Sequence, residues 1–264
     1  YADMSAFPAI NKYSIPEGNT TVTLDGIDPR YTLDMTNADP EESKLTYMYT
    51  NAKVTYPFGY GLSYSKFKYS DFNVPKNANG KAPFKVTVKV KNDGKVNTSE
   101  VVQLYVKNNK SAYGTHAPQK QLAAFDKVSL AAGETKTVTL SVNPKDFAIW
   151  DVNAGDFIVE DGDYEIMVGA SSQDIRAEKE IAIAGESVAA LPANKPFNVF
   201  DHAFASNQVV YNEVSKGRTA ENLKAKKVVG GYYAVHSKQD GSWVALPKMV
   251  LTGSKKVSAS VASN

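Results

Sequence analysis

The sequence predicts an all-β protein built mainly from an antiparallel β-sandwich, and three observations support this prediction. Between residues 67 and 183, apolar and polar residues alternate with a period of two in several short segments. The turn-forming sequences NDG (92–94), AAGE (131–134) and EDGD (160–163) lie between some of these segments. Hydrophobic residues make up 42% of the 264 residues, which is enough for a packed core. Short alternating strands separated by turns are typical of a sandwich of roughly 120 residues.

The strand segments follow one another as KFKYSDFNV, PFKVTVKVKNDG, SEVVQLYVKN, ETKTVTLSV, DYEIMVGAS and AEKEIAIAG. Because side chains alternate between the two faces of a strand, every second residue in each segment should be buried. We expect the following residues to face the core: Phe84, Val86, Val88, Val90, Val102, Leu104, Val106, Val138, Leu140, Val142, Tyr164, Ile166, Val168, Ile181 and Ile183.

Trp150, in the segment NPKDFAIWD, has two interpretations. A tryptophan that follows a strand can form a platform for a sugar, or it can fill the centre of the sandwich core. Large aromatic residues dominate such cores, so the core position is favoured.

Residues 186–200 contain two prolines and no alternation, which indicates a linker. Strand-like segments then return as VVYNEV, GGYYAVHS, SWVALPKMVL and KKVSASVAS, with turns predicted at Gly230–Gly231 and Asp240–Gly241. This tail of about 60 residues is short for a separate β-domain. Together with a first residue that is Tyr and not Met, it suggests a piece of a longer chain.

Composition and charge exclude several classes of function. The 30 basic and 28 acidic residues give a net charge of +2, which predicts neither a nucleic-acid nor a membrane-surface partner. The absence of cysteine excludes disulfides, thiolate metal sites and a cysteine nucleophile. No apolar run approaches the roughly 20 residues of a membrane-spanning helix.

The sequence contains no convincing catalytic motif. The three histidines lie far apart, and neither an HExxH nor a GxSxG motif occurs. The group Glu160, Asp161 and Asp163 could suggest the paired carboxylates of a glycosidase. It lies in a turn that enters a strand, so a structural role is favoured. We therefore predict no catalytic residue and no metal site in this chain.

Four segments resemble the C-terminal fibronectin type III-like domain of glycoside hydrolase family 3: YPFGYGLSYSKFKYS, NDGKVNTSEVVQLYVKN, PQKQLAAFDKVSLAAGETKTVTLSV and DYEIMVGASSQDIR. The resemblance covers residues 45–185. It implies that residues 1–66 end an α/β sandwich domain and connect it to the next domain, which spans 67–185. Residues 186–205 would then be a linker. The aromatic residues of YPFGYG would pack between domains, and Gly59 and Gly61 would permit its turns.

The same resemblance implies a non-catalytic role in carbohydrate metabolism. The family's nucleophile and acid/base residue lie in upstream regions that have no counterpart here, so this chain alone should hydrolyse nothing. We expect the chain to support the other domains of a β-glucosidase- or β-xylosidase-type enzyme. We also expect the parent protein to be secreted or displayed at the cell surface.

The segment GGYYAVHSKQDGSWVALPKMVLTGSKKVSASVAS is similar to the first half of a family 6 carbohydrate-binding module. This resemblance implies a partial second β-sandwich at 206–264 that contacts poly- or oligosaccharides through Tyr232, Tyr233 and Trp243. The same resemblance implies a structural calcium ion, although Glu213 is a poor substitute for the acidic residue that usually binds calcium in that family. The alternatives are a free-standing carbohydrate-binding module and a purely structural or adhesive β-protein.

Overall fold

The computed structural model describes residues 46–49, 54–114, 117–192, 196–197, 199, 204–205, 209–214, 232–237, 240–246 and 248–259. These residues fall into two compact units, one up to residue 188 and the other from residue 189 onward. No helix within the described residues is both long and apolar enough to cross a membrane.

The first unit is a sandwich of two β-sheets, which confirms the predicted all-β class. The strands are β1 (Phe67–Asn73), β2 (Asn77–Asn79), β3 (Phe84–Asn92), β4 (Thr98–Asn108), β5 (Gln121–Leu130), β6 (Thr135–Val142), β7 (Ile149–Asp151), β8 (Asp156–Ile158), β9 (Gly162–Ser171) and β10 (Asp174–Ala184). One sheet has the order β1-β3-β6, and the other has the order β2-β10-β9-β4-β5. Only the β2–β10 pair in these two sheets is parallel. Strands β7 and β8 form a separate hairpin.

The core lies between the two sheets and contains the residues that the alternation predicts. All of them are buried except Phe84, which is partly buried against the cluster. Each fully buried aliphatic side chain of this kind stabilises the fold by about 1.5–3 kcal/mol relative to exposure. The alternating pattern therefore specifies both the strands and the inward face of each one.

The prediction that Trp150 fills the core is wrong. Its side chain is 48% exposed and lies on the β7–β8 hairpin. The core aromatic is Phe147, at the end of a single 3₁₀ turn over Pro144–Phe147, and its ring lies 5.6 Å from that of Tyr164. The 3₁₀ turn and the hairpin interrupt the strand alternation, so the buried ring is three residues earlier in the chain.

A tyrosine corner closes the entry to β9. The Tyr164 hydroxyl donates a 2.9 Å hydrogen bond to the carbonyl oxygen of Glu160, four residues upstream. This contact recurs in Greek-key sandwiches of the immunoglobulin type. It fixes the turn that contains Gly162, whose φ of 151° is unusual for a residue with a side chain.

Within the part of the second unit that the structure describes, there are three two-stranded ladders. They are built from β11 (Leu191–Pro192), β12 (Phe204–Ala205), β13 (Val209–Val214), β14 (Tyr232–Ser237), β15 (Val244–Ala245) and β16 (Met249–Val250). Strand β13 pairs with β14 over six residues, β12 with β15, and β11 with β16. The strands predicted in VVYNEV and GGYYAVHS are confirmed, whereas SWVALPKMVL forms two short strands instead of one.

The prediction of a strand in KKVSASVAS is wrong for the described residues of that segment. Residues 255–259 are exposed, and they do not belong to a strand. Val257 faces solvent. Small and polar residues alternate here, but a strand also needs a partner for its backbone groups. The segment predicted to be a linker contains β11 and β12, and the domain limits stay predictions. Residues 1–45 lie outside the described residues.

Candidate functional site

The YPFGYG segment and the residues after it form a surface that we call the aromatic strip, residues 56–64. The Phe58 ring stacks on Tyr47, with ring centroids 3.9 Å apart and planes 10° apart. Tyr47 in turn meets the edge of Tyr105 on β4, at 6.2 Å and 70°. The strip is therefore anchored to the five-stranded sheet through successive aromatic contacts.

Gln103 on β4 holds the strip by hydrogen bonds. Its Nε2 donates to the carbonyl oxygens of Gly59, at 2.9 Å, and Ala170, at 2.7 Å. Its Oε1 accepts a 2.6 Å bond from the Tyr105 hydroxyl, and the Ser172 amide donates to the Phe58 carbonyl oxygen at 2.9 Å. All these groups lie on the face of β4 opposite the core, so both faces of this strand are buried here.

The expectation for the two glycines is confirmed at Gly59 and wrong at Gly61. Gly59 has a φ of 79°, and a Cβ there would lie 1.9 Å from Gln103 Oε1. Gly61 is not in the left-handed region, and a Cβ there would have no neighbour within 4 Å. The close approach of Gln103 therefore requires glycine only at position 59.

The outward face of the strip is apolar and exposed. Its exposed large side chains are Tyr56, Phe58, Tyr60, Leu62 and Tyr64, the last being 95% exposed. Phe125 on β5 extends this surface, since it pairs with Gln103 and is 69% exposed. Exposed apolar groups of this size on a rigid support commonly mark an interaction surface.

The carboxylates of the EDGD turn have structural roles, as favoured from the sequence. Glu160 is buried, and its carboxylate accepts hydrogen bonds from the Ala112 amide at 2.8 Å and from Asn108 Nδ2 at 2.9 Å. Asp161 accepts a bond from the Gly185 amide, and Asp163 forms a 3.6 Å salt bridge with Lys110. These groups fasten loops to the sheet.

The predicted sugar-binding residues lie in two strand regions of the second unit. Tyr232 and Tyr233 begin β14, opposite Val214 and Glu213 of β13. Trp243, which directly precedes β15, is 56% exposed. The set of Tyr232, Tyr233 and Trp243 stays a prediction.

Histidine and carboxylate groups do not cluster around a metal position within the part of the chain that the structure describes. His116 and His202 lie outside that part. The structural calcium ion that the tail's resemblance to a family 6 carbohydrate-binding module implies stays a prediction.

Sequence reasoning missed a second aromatic site, beside the β7–β8 hairpin. Trp150 and Phe157 meet edge to face at 5.1 Å, and they border a cavity of about 330 Å³. Its other lining residues include Met48, Tyr49, Tyr113 and Gln121. Burial, followed by the charge of Asp151, raises the pKa of Tyr113 to about 12, so its phenol is neutral. The lining comes from four separate segments, and no local motif could have indicated the cavity.

Comparison with known proteins defines the class of the first unit. Residues 100–172 match the family model of the fibronectin type III-like domain. In the two sheets, this match covers β5, β6 and β9 in full and most of β4, which together are half of the eight strands.

Similar proteins are glycosidases. The chain is 43% identical over 129 residues to thermostable β-glucosidase B of Acetivibrio thermocellus, covering 48% of this chain and 17% of that protein. It is 40% identical over 133 residues to an exo-α-(1→6)-L-arabinopyranosidase of Bifidobacterium longum, covering 50% of this chain and 17% of the relative. Among solved structures, the family 3 β-glucosidase of Bifidobacterium adolescentis matches with a TM-score of 0.50 and 35% identity, over 59% of this chain and 22% of that one.

These matches show that the chain contains a fibronectin type III-like domain of the kind present in family 3 β-glucosidases. The chain spans about a sixth of the length of each of these two curated relatives.

Proposed function

We propose that this chain is the non-catalytic C-terminal region of a family 3 glycoside hydrolase of the β-glucosidase or β-xylosidase type. In this proposal the fibronectin type III-like sandwich packs against the enzyme's other domains and supports them. The observation that carries it is the aromatic strip, which Tyr47 and Gln103 hold at Phe58 and Gly59 and which is apolar on its outer side.

The energetics of the strip favour a docking role. Burial of one large apolar side chain in an interface contributes about 1.5–3 kcal/mol, and the strip exposes several of them in a row. Because Gln103 and Tyr47 already fix the backbone and one ring, little conformational entropy is lost on docking. A partner surface with an apolar centre would therefore bind it tightly.

Sugar preference does not come from this domain in the proposal. The two curated relatives share the segment at 43% and 40% identity, although one is named a glucosidase and the other an arabinopyranosidase. An enzyme of this family uses a carboxylate nucleophile and a covalent glycosyl-enzyme intermediate, and these groups would lie in the other domains. Such a parent protein would act on glycans outside the cell or at its surface.

A second candidate function is polysaccharide binding by the tail. The half-exposed indole of Trp243 favours it, since exposed aromatics near strand ends can stack against sugars. Retention of the chain in gels that contain β-glucan, xylan or mannan tests it, with Trp243→Ala beside the unchanged chain. Release by that substitution supports binding by the tail, and equal retention of both proteins contradicts it.

A chimeric enzyme tests the docking proposal. The matching 129 residues of the Acetivibrio β-glucosidase are replaced by the corresponding residues of this chain. We expect cooperative thermal unfolding and retained glucosidase activity. Serine at positions 60, 62 and 64 should lower the Tm and the activity together.

The matched control for that chimera is Val96→Ser, which changes an exposed apolar residue in the turn between β3 and β4. It should leave both quantities unchanged. Equal Tm values for the serine-substituted strip and the unchanged strip would contradict a docking role.

A further inference from the structure

The hairpin that presents Trp150 is held rigidly from below. Asp151 is fully buried, and its Oδ1 accepts hydrogen bonds from the amides of Asn153 at 2.9 Å and Ala154 at 3.3 Å. The Gly155 amide donates to the Asp151 carbonyl oxygen at 2.8 Å, and Gly155 has a φ of 67°. This tight turn fixes the backbone on which Trp150 and Phe157 lie.

The other walls of the cavity are fixed independently. The Gln119 amide donates a 2.6 Å hydrogen bond to the Met48 carbonyl oxygen, which holds Met48 and Tyr49 against the start of β5. The buried Glu160 carboxylate binds the Ala112 amide, next to Tyr113. Hydrogen bonds thus anchor three parts of the lining separately, namely the hairpin, Met48–Tyr49 and the chain beside Tyr113, and a ligand would find the cavity already shaped.

The lining specifies the chemistry of a ligand. No described lining residue is charged, so the cavity favours a neutral molecule. A flat, half-exposed indole offers an apolar face, whereas the Gln121 side-chain amide offers polar contacts. A volume of about 330 Å³ is at the small end of the usual range for small-molecule sites.

A pyranose ring has this combination of properties. It is neutral, its C–H groups form an apolar face that stacks on an aromatic ring, and its hydroxyls require donors and acceptors at the edge. A nucleotide or an organic acid would need a cation, which the described lining does not supply.

We propose that this cavity binds one pyranose unit of a neutral oligosaccharide, with Trp150 as the stacking platform and Phe157 supporting the indole. The site would give the sandwich its own contact with glycan, separate from the aromatic strip and from Trp243. It uses none of the exposed residues of the strip, so a failure of the docking proposal and a failure of this one are distinguishable.

Tryptophan fluorescence tests the proposal directly, because the chain has only two tryptophans. Trp243→Phe leaves Trp150 as the only indole, and this protein is titrated with cellobiose, xylobiose and laminaribiose. We expect a saturable change with at least one sugar and a Kd of about 1–10 mM, as befits a small ligand on one platform.

Three further variants locate the site. Phe157→Ala should weaken binding at least threefold, whereas Phe125→Ala, which removes an exposed ring elsewhere on the sandwich, should leave the Kd unchanged. In gels containing the matching polysaccharide, Trp150→Ala should reduce retention of the full chain, and circular dichroism checks that this variant is folded.

No saturable response to any of the three sugars would overturn the proposal. So would equal weakening by Phe157→Ala and Phe125→Ala. A response to the apolar dye anilinonaphthalene sulfonate with none to sugars would also overturn it, and would assign the cavity to an apolar side chain of a protein partner.

Discussion

Gln103 and Gly59 are mutually dependent: the Gln103 amide bonds the Gly59 carbonyl oxygen at 2.9 Å and occupies the space that a Cβ at position 59 would need. The left-handed backbone at Gly59 turns that carbonyl oxygen toward β4. The pair holds the aromatic strip against β4 at Gly59.

Replacement of Gly59 by alanine should destabilise the sandwich. The Cβ would be strained at a φ of 79° and would displace the Gln103 amide, so we expect a loss of about 1–3 kcal/mol. Urea unfolding followed by Trp150 fluorescence in a Trp243→Phe background measures this for the first unit alone. Gly61→Ala is the matched control and should change the free energy of unfolding by less than about 0.5 kcal/mol. Similar losses at both positions would show that the Gln103 contact is not the cause.

Glu100 should make the sandwich's stability depend on pH. It is buried and accepts a 2.8 Å hydrogen bond from the Tyr69 hydroxyl, and burial raises the pKa of its carboxyl above the usual 4.5. A carboxyl with a raised pKa contributes stability that is complete below its unfolded pKa and is lost as the pH rises through the folded pKa. Glu100→Gln removes this dependence while keeping an oxygen that accepts the Tyr69 bond. The free energy of unfolding of Glu100→Gln relative to the unchanged chain should therefore rise between pH 4 and pH 7.

Other carboxylates titrate in both proteins and cancel in that difference. A difference that stays constant across the same pH range would contradict the assignment to Glu100.

Arg176 joins the two sheets, and lysine should not replace it. Its Nη1 donates to the Phe67 carbonyl oxygen at 3.0 Å, its Nη2 donates to Asp174 at 2.6 Å, and its guanidinium lies 5.5 Å from the centre of the Tyr69 ring. Lysine cannot make these contacts together, so Arg176→Lys should cost about 1–2 kcal/mol and speed hydrogen exchange in β1. Lys68→Arg, at an exposed salt bridge to Asp93, is the control and should have little effect. Unchanged exchange in β1 would contradict the joining role.

The tyrosine corner should contribute stability through one hydroxyl. Tyr164→Phe keeps the ring against Phe147 but removes the bond to the Glu160 carbonyl oxygen, so we expect a loss of about 1 kcal/mol. Tyr64→Phe removes a hydroxyl from an exposed ring and should be neutral. Equal unfolding midpoints for Tyr164→Phe and the unchanged chain would show that the bond adds nothing.

The sequence predicted the sandwich well because a strand that is buried on one face has an apolar residue at every second position. Val86, Val88 and Val90 show it plainly. The alternation does not predict burial on the outer face of a strand, as at Gln103 and Tyr105. Residues far away in the chain cover that face. The alternation also does not predict the exposure of Trp150, because a 3₁₀ turn and a hairpin interrupt the strand pattern there. The cavity beside Trp150 could not be predicted, because its lining depends on how four segments meet.

We propose above that the aromatic strip docks the sandwich onto the rest of a glycosidase. The most direct test is titration calorimetry of this chain into the Acetivibrio β-glucosidase from which the matching 129 residues have been deleted. We expect saturable binding with a negative heat-capacity change, which is the mark of apolar burial. Binding should be lost when residues 60, 62 and 64 are serine. Absence of binding, or equal binding by the serine-substituted chain, would contradict the claim.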